Sequence, residues 1–100
     1  MIERKRKPTH PGAIIKYDYL GELGMSISEL ALIIGISKKT ISKIIDEDAP
    51  VTPQIALRLS RAFGTTAEMW MNLQLAYDLW IEAHSSQSWK NVEKIIFPAA

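Results

Sequence analysis

One stretch, Ile27 to Ile45, constrains the rest of the chain: ISELALIIGISKKTISKII. Its apolar residues recur at helical spacing on both sides of Gly35. Ala31 lies midway along the first predicted helix, where a small side chain lets a second helix cross closely. Gly35 falls where the chain must turn, and glycine accepts a positive φ without a Cβ clash. Ile36 follows the turn, placed to plug the gap between the helices. Ile41, Ile44 and Ile45 then share one face of the second helix. Two short helices with this spacing make a helix-turn-helix, which presents its second helix to a DNA major groove. A plain αα-hairpin with a glycine stop explains the turn but not the three features together.

One hundred residues allow one domain with one modest core. A hydrophobic share of 47% is too high for a disordered chain. The absence of cysteine excludes a disulfide framework and a cysteine metal site, and fits a reducing cytosol. No apolar run approaches the ~18 residues of a membrane span. The basic N-terminus has no apolar stretch after it, so it does not read as a signal peptide. A cytoplasmic location is therefore expected. The net charge of +1 says little about nucleic acid, but the distribution says more. Arg4, Lys5, Arg6 and Lys7 form one basic cluster; Lys38, Lys39 and Lys43 form another. Asp46, Glu47 and Asp48 oppose them.

The chain divides into a flexible basic arm (1–7), an all-α domain (8–84) and a C-terminal tail (85–100). A first helix is expected from Pro11 to Leu23, capped by Thr9 and ended by Gly24, with Ile14, Ile15, Tyr17 and Leu20 apolar. Ser26 and Glu29 make a capping box for the second helix, and Ser37 caps the third. Thr52-Pro53 opens a fourth, with Ile55, Ala56, Leu59 and Phe63 inward and Gly64 as its stop. Thr65 and Glu68 read as a second capping box, opening a fifth helix to about His84. In the tail, Val92, Ile95 and Ile96 suit either a helical turn or an edge strand.

With the isoleucines inward, Lys38, Lys39, Ser42, Lys43 and Asp46 point outward at 100° per residue. Lysine neutralises phosphate or donates to guanine, and serine contacts several base edges. Ser37 and Thr40 stand at the helix start, where backbone N–H groups favour phosphate. Ser26 and Ser28 open the preceding helix, beside the adjoining DNA backbone. The basic arm suits a minor groove or a phosphate track. On the fifth helix, apolar residues cover about two thirds of the circumference, more than the ~100° stripe one core needs. Gln74, Asp78 and Glu82 mark its solvent side. The excess, around Trp70, Tyr77 and Trp80, is the expected interface of a homodimer, unless the tail covers it. Catalysis finds no support. His10 and His84 lie far apart, and no nucleophile elbow, phosphate loop or metal-ligand spacing occurs, so no cofactor or metal is expected. A helical protein-binding module without DNA remains a third reading.

The segments PTHPGAIIKYDYLGELGMSISELALIIGISKKTISKII and VTPQIALRLSRAFGTTAEMWMNLQLAYDLW resemble HigA-type antitoxins. These form part of the Xre group of helix-turn-helix regulators, near its VapI branch. The resemblance runs from about Pro8 to Trp80. It implies a five-helix, lambda-repressor-like fold and a homodimer on a palindromic operator over its own operon. It further implies a HigB-type toxin partner, a ribosome-dependent mRNA endonuclease that the antitoxin neutralises. Recognition positions of the family fall on Ser37, Lys38, Lys39, Thr40, Ser42 and Lys43. Where relatives commonly carry Gly and Lys in the following loop, this chain has Asp46-Glu47-Asp48. The competing expectation is a stand-alone Xre-type repressor with no toxin.

Overall fold

A computed structural model describes residues 6–99. Five helices follow one another: α1 (Pro11–Ile14, running on as a π-helix over Ile15–Gly21), α2 (Ile27–Ile34), α3 (Lys38–Ile45), α4 (Pro53–Phe63) and α5 (Ala67–Ser85). A 3₁₀ turn, Ser88–Asn91, closes the helical part. Among the described residues there is no strand, so the all-α expectation holds.

The start of α1 departs from expectation. Its cap is His10 rather than Thr9: the His10 Nδ1 accepts the Gly12 N–H at 2.9 Å. Pro11 then sits at the first helical position, where its missing N–H costs nothing. The π segment sets a five-residue spacing, which puts Ile15 and Leu20 on one buried face. Tyr17, counted among the apolar positions of this helix, is 64% exposed. Tyr19 packs instead, its ring stacked on Phe63 at 4.3 Å and tilted against Trp70 at 5.5 Å.

The other caps form as local chemistry dictates. Ser26 and Glu29 complete a reciprocal capping box on α2. Gly35 ends α2 at φ +69°, the left-handed region a Cβ disfavours. Ser37 and Thr52 cap α3 and α4 through their hydroxyls. At α5 the expectation misses by one residue. Thr66 is the cap, accepting the Met69 N–H at 3.1 Å. Thr65 Oγ1 instead accepts the indole N–H of Trp70 at 2.7 Å. That bond lets Trp70 lie fully buried at the centre of the core, among Leu30, Ile41, Ile44, Ala56 and Leu59.

Two polar side chains are sealed inside. His10 is 3% exposed and Gln74 4% exposed. Gln74, expected on the solvent side, faces the interior because the α4 approach needs an acceptor there. Its Oε1 takes the Val51 N–H at 2.8 Å, and its Nε2 donates to Asp78 at 2.9 Å. Both ends are thus satisfied, as burial of an amide requires.

The tail forms neither a helical turn nor a strand over Val92–Phe97; these residues are exposed and without regular structure.

Glu47 has φ +64°, the one described non-glycine residue with positive φ. It closes α3 with its own N–H on the Ile44 carbonyl and the Asp48 N–H on that of Lys43. A Cβ in this region costs about 1 kcal/mol. Glu47→Gly is expected to stabilise the domain by about 0.5–1 kcal/mol, read as a rise in Tm of several degrees. An unchanged or lower Tm would mean the loop holds Glu47 for another reason.

Candidate nucleic-acid interface

The interface is built from the α2–α3 turn outward. Ile41, Ile44 and Ile45 are buried, which turns Lys38, Lys39 and Lys43 to solvent on the opposite side of α3. Ser42 and Thr40 are only partly exposed. Ser37 Oγ accepts the Thr40 N–H at 3.1 Å and donates to Thr40 Oγ1 at 2.8 Å. These hydroxyls are tied to the helix cap, so the lysines are the groups that project. On α2, Ser26 Oγ takes the Glu29 N–H at 3.1 Å, and Ser28 is exposed two residues further on. The N-termini of α2 and α3 therefore carry serines, with the three lysines along α3 beyond them. Asp46, Glu47 and Asp48 are exposed at the far end of α3.

Two contacts that sequence reasoning missed hold α3 at this angle. Arg58 of α4 donates to the Ile34 carbonyl at 2.7 Å, satisfying an orphan carbonyl at the end of α2. A Cβ on Gly35 would stand 2.9 Å from that guanidinium, so glycine serves both turn and clamp. Gly12 of α1 rests on the Ile44 backbone so closely that a Cβ there would overlap its carbonyl oxygen. A spaced Arg and a Gly after Pro carry no local signal for these partners, because both lie more than twenty residues away.

His10 joins α1 to α5. Its ring meets Tyr77 edge-on at 4.7 Å, and the Lys7 Nζ lies 5.2 Å from the same Tyr77 ring. Lys7, assigned to a free arm, is thus seated on the domain; residues 1–5 of that arm lie outside the described residues. Burial pushes the His10 pKa below the usual imidazole value, against the pull of Glu47 and Asp78. The unfolded chain therefore binds a proton more readily than the fold does. Stability is complete above about pH 6.5 and falls as pH drops below it, since a protonated Nδ1 no longer accepts from Gly12. His10→Asn keeps a cap acceptor without titrating. Urea unfolding of that variant is expected to lack the parent's loss of stability below pH 6.5. An identical pH profile in both would remove His10 from the cause.

The expected dimer residues divide. Trp70 is 0% exposed and offers no surface to a partner, which corrects that assignment. Tyr77 and Trp80 are partly exposed, and Trp80 stacks on His84 at 3.9 Å. The apolar excess of α5 lies instead on Leu75 and Leu79, which are 56% and 51% exposed. No helix among the described residues is long and apolar enough to cross a membrane, and they hold no cluster of metal-ligating side chains.

A bundle of this order, with a capped α2–α3 turn and lysines along α3, defines a helix-turn-helix DNA-binding regulator. The chain belongs to the helix-turn-helix family of Xre type: the family model described as "Helix-turn-helix" matches residues 15–70. It is 41% identical over 80 residues to the uncharacterized HTH-type transcriptional regulator YbaQ of Escherichia coli K12, covering 80% of this chain and 71% of that one. It is 35% identical over 80 residues to antitoxin HigA-1 of Vibrio cholerae serotype O1, covering 80% and 75%. The solved structure of antitoxin GraA in complex with its operator superposes with a TM-score of 0.83 at 32% identity, covering 97% of this chain and all of that one. The resemblance to HigA-type antitoxins read from the sequence therefore holds.

Proposed function

We propose that this regulator is an antitoxin that represses its own operon and neutralises a HigB-type mRNA endonuclease. The observation that carries the DNA half is the exposed lysine set on α3, Lys38, Lys39 and Lys43, held by buried isoleucines. Ser37 and Thr40 at the α3 start, Ser42 within it, and Ser26 and Ser28 on α2 complete the contact set, with phosphate the main target of the serines. The protein acts as a homodimer paired through α5, because one short helix reads too few base pairs for a useful address. Two copies about a two-fold axis read a palindrome with half-sites about 34 Å apart.

The toxin half is supported by relatives and solved neighbours named as antitoxins. A stand-alone repressor is the second reading, favoured by the relatives named only as transcriptional regulators. Co-expression with the adjacent open reading frame separates them. Growth arrest by that frame alone, relieved by this chain in a stable complex, supports the antitoxin. Operator footprinting without any toxic neighbour supports the stand-alone repressor.

A further inference from the structure

The domain carries a groove of mixed apolar and polar lining, and an exposed apolar segment follows α5. The groove, of about 620 Å³, is lined by Ile14 of α1 and Met69, Leu73 and Ala76 of α5, and also by the polar Thr9, Thr66, Glu68 and Asn72. No tail residue lines it. The segment is the tail: Val92, Ile95, Ile96 and Phe97 are 73–91% exposed, with Lys94 among them. Such a run of exposed apolar side chains is unusual for a free surface. The tail does not fold back. The radius of gyration is 17.1 Å and the longest extent 56 Å, where a compact chain of this length has a radius near 13 Å.

We infer that the tail of each copy docks in the groove of a second copy, a reciprocal exchange across the two-fold axis. The inference rests on the α5 homodimer proposed above. At 100° per residue, the groove residues Asn72, Ala76, Met69 and Leu73 lie on α5 between the core face and the exposed Leu75 and Leu79 stripe. Ala76 is also the midpoint of the 19-residue helix. An antiparallel pair crossing there sets the C-terminal end of one α5 beside the Met69 end of the other. The 3₁₀ turn aims the tail from that end, pinned where Gln87 Nε2 donates to the Ala83 carbonyl at 3.0 Å. The tail then enters the partner's groove, its isoleucines on Met69 and Leu73 and its Lys94 beside Glu68.

The absence of cysteine makes disulfide trapping in the full chain clean. One preparation carries Asn72→Cys. The other carries Val92→Cys, Ile95→Cys or Phe97→Cys, three positions because the register along the groove is free. Mixed and oxidised, at least one pair is expected to give a covalent heterodimer; Gln54→Cys in place of Asn72→Cys gives none. Doubly substituted single chains report the alternative. If they close intramolecularly to a faster-migrating monomer while the mixtures stay uncrosslinked, the tail covers its own groove and the exchange is overturned. No crosslink in a protein that sedimentation shows to be dimeric overturns the exchange and leaves the α5 dimer standing. A monomer at tens of micromolar removes both. In the full chain, Ile95→Asp with Ile96→Asp is expected to raise the dimer Kd by about tenfold or more. An unchanged Kd counts against the docking.

Discussion

Replacing Gly12 with alanine is expected to cost the domain much of its stability and, through α3, its operator binding. An added Cβ would overlap the Ile44 carbonyl oxygen and stand 2.7 Å from its carbon. The obstacle is backbone, so no rotamer change relieves it. α1 must lift from the end of α3, and the His10 cap moves with it, since its Nδ1 is 3.1 Å from the same Cβ. Overpacking in cores costs about 1–3 kcal/mol, and a clash of two backbones belongs at the upper end. For a domain of this size each 1 kcal/mol lowers Tm by about 4–8 °C, so a fall of roughly 10–20 °C is expected. A variant melting within a few degrees of the parent would mean that α1 does not rest on α3. By contrast Ala31→Leu, at a partly buried site on α2, is a milder version of the same test.

The comparison of Gly12 with Gly35 shows what was legible in the sequence. Gly35 announces itself, because the need for a positive φ comes from neighbours a few residues away. So do the caps at Ser26, Ser37 and Thr52, whose partners lie three residues on. Gly12 has an ordinary helical backbone, and its purpose is a contact with Ile44 that only the fold creates. Gln74 and Trp70 were misread for the same reason. A 100° wheel gives the faces of α5 but not which of them meets the core. The acceptor demand of the Val51 N–H, and the Thr65 hydroxyl waiting for the indole, then decide the matter. Nor does an apolar residue type say where Tyr17 lies, because this helix runs in π register rather than at 3.6 residues per turn. On α3 the wheel was right, since strong amphipathicity leaves only one way to bury Ile41, Ile44 and Ile45. The lysine face was readable there for that reason.

That face gives the second large effect. Lys38→Ala, Lys39→Ala and Lys43→Ala together are expected to abolish specific operator binding while the fold stays intact. All three side chains are exposed, and surface changes of this kind shift stability by about 0.5 kcal/mol or less. As the homodimer proposed above, neutralising about four to six phosphates, the parent is expected to show log K falling against log salt with a slope of roughly −4 to −5. The single variants then sort the roles. A lysine on phosphate removes about two contacts per dimer, so its loss flattens the slope by about 1.8 and weakens all sequences alike. A lysine on guanine leaves discrimination about 1–3 kcal/mol poorer at one base pair in each half-site. Lys39 and Lys43, four residues apart, lie on one stripe of α3, so these two are expected to include the base reader. Fluorescence anisotropy on operator and scrambled duplexes, across a salt series, measures both quantities in one experiment. Unchanged affinity in the triple variant would take DNA recognition away from α3 altogether.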